Sequence, residues 1–172
     1  MDTFEILSQL CSAAGVSGAE GSAAEAAAKL LEKYGEVTLD NALGSVICKV
    51  GSWEDGKPVM LLDAHIDEIG MIVTYITEDG FLKISGCGGL DTRLLLAQQV
   101  TVYGREKLTG IVTSTPPHLE KDSSDAPELD SVFIDIGFTS RENAAKYVSL
   151  GDRVLIENKA ERLAGSRVTS KA

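Results

Sequence analysis

An apolar run, Val59-Met60-Leu61-Leu62, passes without a break into Asp63-Ala64-His65-Ile66-Asp67-Glu68-Ile69-Gly70, and no other stretch of the chain limits the fold as much. Four apolar residues in succession after Pro58 predict a strand covered on both faces, ending at Asp63, which is the pattern of an α/β sheet rather than of a half-exposed antiparallel one. In such sheets ligands gather beyond the carboxyl ends of the strands, where His65 falls. Extended backbone turns successive side chains to opposite faces, so Asp63, His65 and Asp67 share one side while Ala64, Ile66 and Glu68 share the other. A carboxylate beside an imidazole can accept one ring N–H and leave the other nitrogen for a metal. Half of a metal site and a satisfied histidine at a strand end both fit this spacing.

Upstream, Phe4, Ile6, Leu7, Leu10, Cys11 and Ala14 recur at helical spacing, which predicts a helix from about Thr3 to Ala14, with Asp2 and Glu5 as a capping pair. Gly15 to Gly18 breaks it. Ser17 with Glu20 can open a second helix that Gly35 closes, with Ala27, Leu30, Leu31 and Tyr34 as its apolar stripe. Val37 and Leu39, a turn at Asn41 to Gly44, and Val46 to Val50 predict two short strands.

After Gly70 the texture changes to short strands separated by glycine turns: Met71 to Ile76, Phe81 to Ser85, Gln99 to Tyr103, Leu108 to Thr113 and Val132 to Ile136. That spacing predicts a small β barrel or sandwich. Ser140 can cap a short helix to about Tyr147, and Asp152 to Glu157 adds a strand. Thr115 to Asp130, rich in proline and charge, reads as a surface loop. The polar tail from Asn158 to Ala172 does not read as the closing element of a core. The expected division is 1–69 as the first part of an α/β domain, 70–160 as an inserted β domain, and 161–172 as a return into the first.

Charge excludes some partners. Lys and Arg number 16 against 26 Asp and Glu, a net charge of −10, which repels nucleic-acid phosphates and anionic lipid surfaces. No apolar run approaches the roughly 20 residues that span a bilayer, and the acidic N-terminus does not read as a secretory signal. Cys11, Cys48 and Cys87 are odd in number and form no C-x-x-C pair, which predicts a reducing, cytoplasmic location with each thiol a small buried hydrophobe.

Other chemical candidates are weaker. Asp67 and Glu68 point to opposite faces, a poor arrangement for the two carboxylates about 5 to 10 Å apart that a glycoside hydrolase needs. Gly86-Cys87-Gly88-Gly89 lacks the Lys-Ser/Thr of a phosphate loop, and turn flexibility explains it better. Gly15-Val16-Ser17-Gly18-Ala19 ends in alanine where a serine-hydrolase elbow has glycine, so Ser17 reads as a helix cap. Cys87 has no assigned histidine base. The only other histidine, His118, lies in a Pro116-Pro117-His118 turn and reads as a loop or interface residue.

Taken together, Asp63 to Gly70 resembles the signature of the glutamyl and tetrahedral aminopeptidases, dinuclear metallopeptidases once also described as cellulases. Leu39 to Ser45, Gly88 to Arg93, Gln98 to Val100, Gly110 to Val112, Pro116 to His118, Ile134 to Gly137 and Gly151-Asp152 follow in that family's order. The resemblance implies the start of a zinc-peptidase-like α/β catalytic domain with an inserted, PDZ-like β-barrel domain that pairs subunits into dimers and larger shells, dodecamers among them. It implies two divalent metal ions, zinc or cobalt, with His65 a ligand to one and Asp67 orienting that histidine. No separate cofactor-binding residue is implied. The expected reaction is metal-assisted removal of N-terminal residues from peptides.

The family's pattern continues, after a segment like Gly165 to Ala172, into an Asp-Asp-Arg stretch whose aspartate bridges the metals, and then to further carboxylates and a late histidine. None of these is in the chain. The resemblance therefore predicts an amino-terminal portion of such an enzyme, inactive alone because one ligand cannot hold two ions. The alternatives are a dimerisation module with a vestigial metal site and a glycoside hydrolase.

Overall fold

The structure, a computed structural model, describes residues 2–114 and 127–171. They form two compact units, one of residues Met1–Glu68 with Lys159–Ala172 and the other of Ile69–Asn158.

The first unit opens with helix α1, Thr3–Ser12. Its start is set by a capping box: Asp2 N–H donates to the Glu5 carboxylate at 3.1 Å, while the Asp2 carboxylate accepts from the Phe4 N–H. These bonds satisfy donors that a helix start leaves unpaired. Helix α2, Gly21–Leu31, buries Ala23, Ala24, Ala28 and Leu30. It ends before Tyr34, which is exposed rather than part of a buried stripe. Strands β1, Glu36–Leu39, and β2, Val46–Lys49, pair antiparallel, with Leu39 opposite Val46. The Asp40 carboxylate accepts the Ala42 and Leu43 N–H groups, both at 3.1 Å, which shapes the turn between them.

The run from Pro58 to Asp63 is a correction to the expected strand. It has no regular secondary structure, and Met60 and Leu62 are 84% and 86% exposed. Apolar composition favours burial only where another layer stands over it; among the described residues no strand pairs with this run. Further on, the backbone makes an isolated parallel bridge between Val16 and Glu68. The tail forms a small hairpin of β9, Glu161–Arg162, and β10, Val168–Thr169, with Leu163 and Val168 exposed. It is tied to α1 by Arg162, which pairs with the Asp2 carboxylate and lies over the Phe4 ring, 4.3 Å from its centroid.

The second unit is a closed six-stranded barrel in the order β3-β4-β7-β6-β5-β8, every pair antiparallel. Its strands are β3 Gly70–Ile76, β4 Leu82–Cys87, β5 Gln99–Tyr103, β6 Lys107–Ser114, β7 Val132–Asp135 and β8 Arg153–Ile156. Closure leaves no sheet edge unpaired. Alternation does what the sequence pattern predicts: Met71 and Val73, Leu82 and Ile84, Val100 and Val102, and Val132 and Ile134 all point into one core. Short helix α3, Arg141–Ala144, starts at Ser140, whose hydroxyl accepts the Asn143 N–H at 3.4 Å. Arg141 fastens this helix to the barrel by donating to the Ile76 carbonyl at 2.8 Å, with its guanidinium over the Tyr75 ring.

The expected strand at Phe81 to Ser85 runs one residue later at its start and on to Cys87 at its end. Cys11, Cys48 and Cys87 are free but half-buried, not fully buried. His118 and 115–126 of the expected surface loop lie outside the described residues. No helix among the described residues is long and apolar enough to cross a membrane.

Candidate functional site

The site belongs wholly to the first unit. A cleft of ≈ 750 Å³ is lined by residues of α1 and α2, by the turn at Leu43 to Val46, and by Leu62 to Glu68 with Lys171. His65 stands in this lining with its side chain 86% exposed. Its Nδ1 lies 3.0 Å from Asp67 Oδ1, so the two residues that alternation assigns to one side do meet. The other oxygen of Asp67 accepts the Ser17 hydroxyl at 2.5 Å. The result is a chain from Ser17 to Asp67 to His65.

Two donors on one carboxylate stabilise its charged form. The Ser17 hydroxyl first, and His65 second, hold the Asp67 carboxyl below the ordinary aspartate range. An ionised Asp67 can accept a proton from Nδ1, the arrangement in which the Nε2 lone pair is free for an electrophile in the cleft. Asp63 also lines the cleft and is exposed, but makes no bond to His65. Glu68 turns the opposite way and is buried.

Ser17 is a second correction. It does not cap α2; the residue at the cap position is Glu20, whose side chain makes no capping bond and instead accepts the Gly18 N–H at 2.6 Å. The Val16 bridge to Glu68 carries Ser17 to Asp67, a contact across 50 residues that no local pattern contains. Lys171 is the other residue missed. Its ammonium lies 2.8 Å from the Glu68 carboxylate.

His65, with its ring held by Asp67, suits one ligand position of a metal centre, since imidazole with a carboxylate on its second nitrogen is the common arrangement. It does not suffice for a centre. Among the described residues no group of three or more His, Cys, Asp or Glu is placed to hold an ion.

The family profile of M42 glutamyl aminopeptidase matches residues 44–172. The lysyl aminopeptidase of Pyrococcus furiosus is 29% identical over 149 residues, covering 84% of this chain and 42% of that protein. Among solved structures, an aminopeptidase from the archaeon Desulfurococcus kamchatkensis superposes with a TM-score of 0.88 at 31% identity, covering 98% of this chain and 46% of that one. The Pyrococcus horikoshii TET1 peptidase, which can assemble into a tetrahedron or a large octahedral shell, gives 0.86 at 30% identity, covering 99% and 51%. The chain spans about half the length of the known relatives it matches.

Proposed function

The chain belongs to the M42 glutamyl aminopeptidase family, and from that premise we propose that it is the amino-terminal portion of an enzyme that removes N-terminal residues from peptides. The observation that carries the reading to particular residues is the chain from Ser17 through Asp67 to His65 on the wall of the cleft. His65 is one ligand of a centre of two divalent ions, zinc or cobalt, and Asp67 is the residue that orients it. When bound, such ions polarise the scissile carbonyl and make water nucleophilic near neutral pH.

What the described residues contribute is the orientation of one donor. Ser17 holds Asp67, Asp67 keeps the ring proton on Nδ1, and Nε2 is left for the ion. Among the described residues no group of three or more candidate donors completes the centre around His65. The barrel acts as a PDZ-like oligomerisation insert through which subunits pair and build larger shells; its fully closed sheet restricts such pairing to side-chain surfaces rather than strand edges. The three free cysteines support a cytoplasmic setting.

The test is cleavage of aminoacyl-p-nitroanilides by the full-length protein, with and without a chelator. Cleavage that the chelator stops, and that His65→Ala abolishes without changing the oligomer, supports the reading. Full activity in His65→Ala removes the ligand assignment, and no hydrolysis of any aminoacyl substrate by the metal-loaded protein removes the reading itself.

A further inference from the structure

Glu68 is 9% exposed, yet this buried position carries a carboxylate. One of its oxygens accepts the Gly15 N–H at 2.7 Å and a proton of the Lys171 ammonium at 2.8 Å. The other oxygen is also 2.8 Å from that ammonium, which is itself on a side chain only 18% exposed. Lys171 donates onward to the Ala13 carbonyl at 2.8 Å, and the Glu68 N–H donates to the Gly15 carbonyl at 2.8 Å. Three segments far apart in sequence thus meet at one node.

A buried ion pair is seldom better for stability than apolar side chains of the same volume, because both charges lose their water. What it does supply is direction, since charge-assisted hydrogen bonds hold only in a narrow geometry. Here that geometry fixes the register of 65–68 against 13–17. In this register Ser17 reaches Asp67, and Asp67 reaches His65. A residue's slip in either segment would separate the hydroxyl from the carboxylate.

We propose that Glu68 and Lys171 are positioning residues for His65, locking the backbone register in which Ser17 and Asp67 hold the imidazole with its proton on Nδ1 and its Nε2 open. The use made of that nitrogen rests on the aminopeptidase reading given above. The positioning itself does not, because the tautomer of His65 is measured without any metal.

The experiment is long-range ¹H–¹⁵N correlation of the histidine rings in the ¹⁵N-labelled full chain, with His118→Gln used to assign the two ring systems of this stretch. The unmodified chain should show His65 in the Nδ1–H form. Glu68→Gln combined with Lys171→Met removes both charges at similar volume; in that variant the Nδ1–H form should lose its dominance. Lys171→Arg, which keeps a cation able to reach both acceptors, should retain it. A folded double variant with the parent tautomer overturns the proposal, as does an unmodified chain without the Nδ1–H form. Should the double variant not fold, Lys171→Gln carries the same expectation and the same overturning result. Titrating the unmodified full-length enzyme with Zn²⁺ on the same resonances separates the two ideas: an unperturbed Nε2 removes the ligand role and leaves the positioning result standing.

Discussion

Gly15 and Ala23 pack so closely that a Cβ on Gly15 would lie 2.8 Å from the Ala23 Cβ, with the Ile66 carbonyl oxygen 3.4 Å away on another side. Ala23 is buried within α2 and cannot move aside without displacing the helix. Gly15→Ala should therefore destabilise the first unit by about 1–3 kcal/mol, the usual cost of overpacking. Urea denaturation followed by circular dichroism measures it, and an unchanged midpoint would show that α2 is free to shift.

Ala97 has φ of +62°, in the left-handed region, where its N–H donates to the Val112 carbonyl at 3.0 Å. An L side chain pays roughly 1–2 kcal/mol there, and glycine's greater freedom in the unfolded chain returns part of that. Ala97→Gly should raise stability by about 0.5–1 kcal/mol. The expected readout is a higher unfolding midpoint at constant denaturant slope, and a lower midpoint would contradict it.

The Asp2 carboxyl is held below the ordinary aspartate value, chiefly by its hydrogen bond from Arg162. A group whose pKa is lower folded than unfolded contributes stability above the unfolded value and loses it as pH falls through the folded one. The tie between α1 and the β9–β10 hairpin should accordingly weaken in acid. Thermal midpoints taken from about pH 6 down to about pH 2 should fall less steeply in Asp2→Asn, which keeps a good N-cap but carries no charge. Parallel curves for the two proteins would rule out this contribution.

The parts of the fold visible in advance are those whose causes are local. Asp2 and Glu5 stand three residues apart, and that spacing alone brings each to the other's backbone. Asp40 shapes its turn through neighbours two and three residues away. The barrel strands could be read because each covers one face only, so Val100 and Val102 alternate with Thr101 and betray the period of two. The site was legible in part for the same reason: His65 and Asp67 are two residues apart, and they meet.

Other parts depend on contacts between distant residues. The apolar run at Val59 to Leu62 promised a covered strand, but covering requires a second layer, and these side chains are exposed. Ser17 beside Glu20 looked like the start of a helix, yet the hydroxyl does more against Asp67. Nothing in the tail marked Lys171 as a part-buried cation.

By itself the sequence determined the periodicities, the capping box, the turns and the pair His65 with Asp67, because these follow from backbone geometry over a few residues. Only the tertiary structure decided that the barrel closes through β3 against β8, that Ser17 serves Asp67 instead of α2, and that Glu68 meets Lys171. Those outcomes turn on which polar groups lose water together, and that is fixed when separate segments pack, not along the chain.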